Sequence, residues 1–484
     1  MNMQTVLEKA ENIFVQRPPE LRLFKTQLDN IRQGTVAPEH RILIFTGETH
    51  IGKTTLLKHF YRYAREEEIP CALIDFDSHG AEQLYDDVDD EKALIAIVSA
   101  LYYQLSRDRQ GTGSKTNAIT IEEVVTLLNN LNKRSGNRPS VLIFDTMERC
   151  RPSLFKQLQD KLFAPLMPEA LARRPPTHYK TVLVLASRTS LIWDSFELRQ
   201  HTLEQPLKLF SEKETITQLG GEAALARQIY QLTFGLPGAA FWALNDIRER
   251  YPQEIELEHI NLETDDFFQR QVLDFLFKTL REQQSQTKQV CVALIVVSPL
   301  RSFGYELLRF LFSHLYQDEQ RTISRYTEKE KEKPSKFYLE LAKDMERTTY
   351  AKWDFERRGF VLTPAVRSML KQYMRRLLPK KYRKVHELAA EWYKDLLDQG
   401  LLVYIVERLY HLACLAQLQA KSNTTQQCLA ELQDYVQKID LSDKGAQDLL
   451  ETIRRDLKKD HELQELLPGK KADIDQLCQS LPEK

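Results

Sequence analysis

Two rhythms alternate along the first two hundred residues. Short runs with a continuous apolar middle occur at Arg41–Thr46, Pro70–Asp75 (PCALID), Ser140–Asp145 (SVLIFD) and Lys180–Ala186 (KTVLVLA), and a fifth short strand is plausible near His201–Glu204. Between them lie longer stretches with apolar residues three and four apart: Lys53–Glu67, Lys92–Leu105, Thr120–Arg134 and Pro152–Ala172. A strand that is apolar throughout is covered on both faces, and a helix between successive strands makes them parallel. The pattern therefore predicts a doubly wound α/β domain over residues 1–205. Thr120-Ile-Glu-Glu123 has the spacing of a capping box and marks where one of its helices starts.

After Pro206 the strand rhythm stops. Ser211–Leu219, Gly221–Phe234 and Gly238–Arg250 read as consecutive short helices, and Phe267–Gln283 as another, so residues 206–284 are expected to form a small helical domain. The run Val290–Val297 fits a strand or a buried helix, since its period does not decide. A third domain is expected at 285–384, with an exposed loop at 327–336. Helices follow over 385–484, in VHELAAEWYKDLLDQG, VYIVERLYHLACLAQL and CLAELQDYVQKI. One or two helical-repeat units fit there, too few for a long solenoid. The apolar stripes of these helices have core spacing.

Composition changes this picture little. Of 484 residues, 42% are hydrophobic and 28% charged, with a formal net charge of −1, so overall charge points to neither nucleic acid nor membrane. The six cysteines form no CxxC pair, which excludes a zinc ribbon and argues against a disulfide framework. The first residues, MNMQTVLEKAENIF, lack the long apolar core of a signal peptide, and the apolar run at 290–297 is far shorter than the ~20 residues that span a bilayer. A soluble protein of the cytoplasm is the expectation.

The candidate chemistry sits where the first strand meets its helix. In RILIFTGETHIGKTTLLKHF, residues 41–60, Gly47 is followed by Glu48, Thr49, His50, Ile51, Gly52, Lys53, Thr54 and Thr55, the pattern G-x-x-x-x-G-K-T. Such a loop turns backbone N–H groups toward phosphates. Its lysine reaches the β- and γ-phosphates, its Thr hydroxyl ligates Mg²⁺, and the helix N-terminus adds positive potential. Asp145 closes an apolar strand, where an acid holds Mg²⁺ through water. Glu148, in DTMER, is placed to orient a water, or equally to cap or pair with a cation. The residue directly after Asp145 is Thr146, where many such ATPases carry their base, so slow hydrolysis is expected. Arg188 follows the fourth strand in ASRTS and is a candidate sensor of the γ-phosphate. Pro237 lies in G-L-P between two helices, where it either packs on the base or simply makes a turn.

In this order the features resemble the signal-transduction ATPases with numerous domains, a branch of the AAA-like P-loop NTPases related to NB-ARC and Orc/Cdc6-type ATPases. The similarity runs over residues ~14–245. IFVQRPPELRLFKTQL is similar to the family's leading segment, GETHIGKTT to its P-loop, LIFDTMER to its Walker B strand, ASR to its sensor strand, and GLP to its lid motif. FERRGFVLTPAVRSMLKQY, at 355–373, resembles the end of a winged-helix domain, though Leu362, Thr363 and Pro364 stand where many relatives have Met-His-Asp. The resemblance implies an α/β P-loop NTPase core followed by a helical lid, a winged-helix-like domain and a C-terminal helical domain. It also implies an ATP/ADP switch with Mg²⁺ that opens for oligomerisation. The 13 residues ahead of Phe14 leave no room for an effector domain, so a separate effector protein is expected unless the C-terminal helices serve.

The remaining signals are weaker. NLNKRSG lacks the Asp of a guanine-reading N-K-x-D motif, which favours adenine. Residues 321–384 hold 19 Lys/Arg against 8 Asp/Glu with aromatic residues interleaved, a pattern compatible with DNA, as in an Orc/Cdc6-like initiator or loader, and with a solvated basic face. Asp75, Asp77 and His79, and the acidic run at 85–92, lack defined ligand spacing for a metal. Arg149, Arg151, Arg173 and Arg174 are all candidates for an arginine finger.

Overall fold

A computed structural model of the chain describes residues 17–33, 40–77, 89–106, 119–134, 139–167, 180–220, 223–250, 274–277, 287–315, 334–348, 350–419, 423–437 and 444–482. The chain divides into two compact units, Met1–Glu263 and Thr264–Lys484.

In the first unit, α1 (Pro18–Gln33) precedes β1 (Ile42–Thr46), α2 (Lys53–Glu66), β2 (Cys71–Asp75), α3 (Asp90–Ser106), α4 (Ile121–Arg134) and β3 (Ser140–Asp145). Next come α5 (Pro152–Gln157), β4 (Thr181–Ser187), α6 (Phe196–Gln200) and β5 (Thr202–Pro206). The five strands form one parallel sheet in the order β2-β3-β4-β1-β5. Ile42, Ile44, Ala72, Ile74, Leu142, Phe144, Leu183 and Leu185 pack with α3, α4 and α5 on one face. The alternate residues, including Leu43, Phe45, Ile143 and Val184, are buried as well. On that second face Phe45 meets Phe60 of α2 at 5.3 Å between ring centroids, and Phe60 stacks on Phe24 of α1 at 4.3 Å. Both faces are covered, as continuous apolar strands require.

The capping box at α4 forms: the Thr120 N–H donates to Glu123 Oε2 (2.9 Å) and the Glu123 N–H to Thr120 Oγ1 (3.2 Å). The helix expected at 152–172 differs from its sequence pattern. After α5 it widens into a π-helical segment, Leu158–Phe163, and its described part ends at Leu166. The widening turns Gln159 inward, where its amide donates to Ile192 O (3.2 Å) and accepts from the Asp194 N–H (2.9 Å). Three short helices complete the unit: α7 (Glu212–Gln218), α8 (Ala223–Thr233) and α9 (Pro237–Arg250).

The second unit begins with α10 (Thr287–Val297), α11 (Tyr305–Leu315) and α12 (Pro334–Arg347), followed by an antiparallel pair, β6 (Ala351–Asp354) and β7 (Gly359–Leu362). Phe303 adds a bridge to Phe360. The undecided run at 290–297 is helical: Val290, Ala293, Leu294, Val296 and Val297 are its buried positions, related by steps of three and four. Of the helix expected at 267–283, residues 274–277 are described and are helical. Then come α13 (Pro364–Leu377), α14 (Pro379–Asp398), α15 (Ile405–Leu418), α16 (Thr424–Val436), α17 (Lys444–Lys459), α18 (His461–Leu466) and α19 (Lys471–Gln479).

A buried polar knot ties these elements together. Arg301 donates to Glu407 (3.0 Å), Asp460 and Val406 O (3.1 Å), and its guanidinium lies 4.4 Å from the Tyr410 ring centroid. Arg367 reaches Leu300 O (2.7 Å), Glu462 (2.6 Å) and the Tyr410 hydroxyl (3.2 Å). Beside them the wholly buried His386 and His411 face each other, Nδ1 to Nδ1, at 2.8 Å. No helix among the described residues is long and apolar enough to cross a membrane.

Candidate functional site

Because all five strands are parallel, their C-terminal ends share one edge of the sheet, and ligands of open α/β sheets bind outside that edge. β1 has neighbours on both sides, one continuing toward β2 and the other being β5, so the chain reverses direction there. The loop after β1 turns through His50 (φ 66°) and Gly52 (φ 95°) before α2 begins at Lys53. A left-handed φ of that size favours glycine at position 52. Thr49 and His50 form the turn, and Thr55 lies half-buried in the first turn of α2.

Lys53 is nearly buried. Its ammonium donates to Gly47 O (2.6 Å) and Glu48 O (3.0 Å), so it stands inside the loop. Burial lowers its pKa to about 8, although Glu148, Asp145 and Glu48 pull the other way. Burial, with Arg188 and Lys53 nearby, likewise lowers His50 to about 4.

Asp145 ends β3 and is 2% exposed. Burial raises its pKa to about 6, offset in part by a hydrogen bond from the Thr54 side chain. That bond joins the first residues of α2 to the acidic strand, past the intervening β4. The first unit has a P-loop-like α/β core.

Known proteins add only outline to this. No family model matches the chain, and no curated protein matches it either. Solved structures similar to it include CDC6P from Pyrobaculum aerophilum, with a TM-score of 0.34 and 12% identity, covering 76% of this chain and 96% of that one. The Aeropyrum pernix ORC1 protein in complex with DNA gives 0.34 and 14%, covering 74% and 92%. A signal transduction ATPase with numerous domains and a tetratricopeptide repeat sensor, from Pyrococcus horikoshii, gives 0.24 and 13%, covering 94% and 67%. Overlaps of this size lend no weight of their own; the geometry of the loop and of Asp145 stands without them.

The other sequence candidates find definite partners. Arg188 leaves the end of β4, between the loop and Asp145. Its Nε lies 2.6 Å from Glu148 Oε1, and its N–H donates to Glu148 Oε2 (3.2 Å). The two residues expected to act separately on water and phosphate are thus bound to each other. Pro237 opens α9, and its carbonyl accepts from the Gln218 amide (2.9 Å). It is the next residue, Gly238, that meets the loop: its N–H donates to His50 O (3.0 Å). Two of the arginine-finger candidates are paired, Arg149 with Asp77 (2.9 Å) and Arg151 with Asp90 (2.8 Å). Arg173 and Arg174 lie outside the described residues.

Sequence reasoning passed over Asp75 as a site residue. It ends β2 in register with Asp145, accepts from the Thr146 hydroxyl (3.1 Å), and helps raise the Asp145 pKa. Thr146 itself is left-handed (φ 58°), and its N–H donates to Asp145 Oδ1 (2.8 Å). A signal was present in the sequence: both strands end in an acid after an apolar run, and parallel pairing in that register sets the two ends side by side.

Proposed function

We propose that the chain binds ATP and ADP with Mg²⁺ and works as a slowly hydrolysing switch of the signal-transduction ATPase type, its nucleotide state governing oligomerisation and a separate effector protein. One observation carries the nucleotide reading: the Thr54–Asp145 hydrogen bond sets two hard oxygen donors next to a buried ammonium enclosed by a glycine loop. Mg²⁺ keeps several waters and takes one or two protein oxygens beside phosphate, which suits this donor set. Lys53 would hold the terminal phosphates and Thr54 and Asp145 the metal, while Glu148 and Arg188, paired with each other here, would part to orient water and to sense the γ-phosphate. Residues 47–55 form the cradle, and Pro237, which opens α9, sets the helical lid so that the next residue, Gly238, meets it.

The resemblance of 355–373 to a winged helix, with the three helices and hairpin before it, supports the switch architecture of core, lid, winged helix and C-terminal helices. An Orc/Cdc6-like use of that region on DNA has less support. Two cations of that region are engaged internally, Arg367 and Lys371 with Glu462 and Tyr410. Helix α12 balances Lys336, Lys343 and Arg347 with Glu340, Asp344 and Glu346.

The test is titration of ATP and ADP with and without Mg²⁺, followed by sizing with ADP, with a non-hydrolysable ATP analogue, and with duplex DNA. Wild-type affinity in Lys53→Ala would refute the site. An unchanged size across both nucleotides would remove the switch and leave a nucleotide-binding scaffold.

A further inference from the structure

Arg17, at the head of α1, is 6% exposed and touches three separate parts of the first unit. One guanidinium nitrogen donates to Ile51 O in the loop (2.7 Å), and another to Lys208 O in the irregular stretch that leaves β5 for the helical segment (3.1 Å). Its plane lies 4.7 Å from the Phe210 ring centroid. Glu20, one turn along α1, stands 3.9 Å away.

The same stretch is bound to the turn that leads into α9. The Phe210 N–H donates to Gly235 O (2.8 Å), and Gly235 is left-handed (φ 76°). A Cβ on Gly235 would fall 2.0 Å from Phe210 O, so the two backbones meet at a distance open only to glycine. Three residues later, Gly238 closes the circuit with its bond to His50 O, and a Cβ there would fall 2.7 Å from His50 Cβ. Adjacent loop carbonyls, His50 and Ile51, are therefore held by α9 and by Arg17, and both holders connect to Phe210.

A trans peptide points its C=O and N–H in opposite directions. Fixing Ile51 O on the Arg17 side turns the Gly52 N–H the other way, and fixing His50 O does the same for the Ile51 N–H. The angle of the loop thus depends on where the 207–238 segment sits.

We propose that Arg17 is a positioning residue that couples the phosphate loop to the α7–α9 segment, so that nucleotide binding and the placement of α9 report on each other through His50 and Ile51. This rests on the nucleotide reading above. Arg17 touches neither metal nor nucleotide in this role. A fork of two donors is what the role needs, and lysine supplies only a point charge.

The experiment compares full-length wild type with Arg17→Ala, Arg17→Lys, Gly238→Ala and Lys53→Ala, using a fluorescent ADP analogue for affinity and hydrogen exchange of residues 223–250 at saturating ADP. Arg17→Ala should weaken binding about tenfold, the value of one hydrogen bond to a charged group. It should also erase the nucleotide-dependent protection of α9 even when the site is filled. Arg17→Lys should recover part of both, and Gly238→Ala should reproduce the loss of protection by pushing α9 from His50. A purely structural arginine would lower overall stability yet leave the protection of the filled site intact, and that result overturns the proposal. So does wild-type affinity in Arg17→Ala while Lys53→Ala fails to bind. Binding by Lys53→Ala at wild-type strength would instead remove the nucleotide reading itself.

Discussion

The glycine loop around Lys53 and the polar knot of the second unit use the same ingredients to opposite ends. Each buries cations beside carboxylates at the junction of several elements. Around Lys53 burial outweighs the nearby acids, and the ammonium is lowered to about 8. Around Arg301 the acids outweigh burial: Glu407 and Asp460 hold its pKa above the usual guanidinium value, and Arg367 in turn draws Glu462 down to about 2. A cation whose lost hydration has been replaced is finished structure. One whose lost hydration has been replaced only by two carbonyls still gains from an anion. The balance of terms, rather than the presence of charge, separates a site from a brace.

Four measurements would break or sharpen that contrast. The largest effect is expected from Arg301→Ala, which removes a buried cation from two part-buried carboxylates and should cost about 3–5 kcal/mol in the second unit. Hydrogen exchange of α14 and α15 reads it, and a cost below ~1 kcal/mol would mean the knot is not closed. Asp145→Asn comes next. It should remove most of the Mg²⁺-dependent gain in ATP affinity, about tenfold or more. Stability should hold or rise, because a buried carboxyl with a raised pKa is replaced by a neutral group.

The third measurement is the pH dependence of the knot. His386 is lowered to about 3 by burial, Lys371 and Arg367, and His411 falls well below its usual value for like reasons, with His386 and Arg301 contributing. In the Nδ1–Nδ1 contact one imidazole donates and the other accepts. Protonating the acceptor would set two N–H groups against each other. The unfolded chain takes up these protons near pH 6.5 and the folded chain resists them. Stability is therefore full above ~6.5 and falls as pH drops toward 3, by up to about 1.4 kcal/mol per pH unit for each histidine. Opening of α14 and α15 followed between pH 7 and 5 should show that slope, and His386→Leu with His411→Leu should flatten it. The smallest effect belongs to Arg149→Ala. Its bridge to Asp77 is partly exposed and is worth no more than ~1 kcal/mol after screening. A large loss of turnover in a variant so little destabilised would single it out as the arginine finger.

Much of the first unit was legible along the chain, because strand apolarity, the capping box at Thr120 and the glycine loop are local facts. Strand order was not legible: nothing near Thr181 says that β4 will lie between β1 and β3, and that order is what delivers Arg188 to Glu148. Arg17 was visible only as part of a leading motif, since its partners lie 34 and 191 positions away. The run at 290–297 stayed undecided because eight apolar residues satisfy either period, and neighbours in the fold settle which face is buried. In the second unit the basic excess was read as surface, whereas the knot takes Arg367 and Lys371 inside.

The sheet register bears on how the chain is made. β1 finds its neighbours in β4, opposite Leu183, and in β5, opposite Thr202, about 140 and 160 positions downstream. At ribosomal speeds of ~5–20 residues per second, the apolar ILIFT segment waits roughly 7–28 seconds before its first partner emerges. Until then it is an unpaired, adhesive strand, and the glycine loop that follows it has no shape. Holding that nascent stretch is work for a chaperone, and a ribosome pause placed before position 183 would lengthen the hazard.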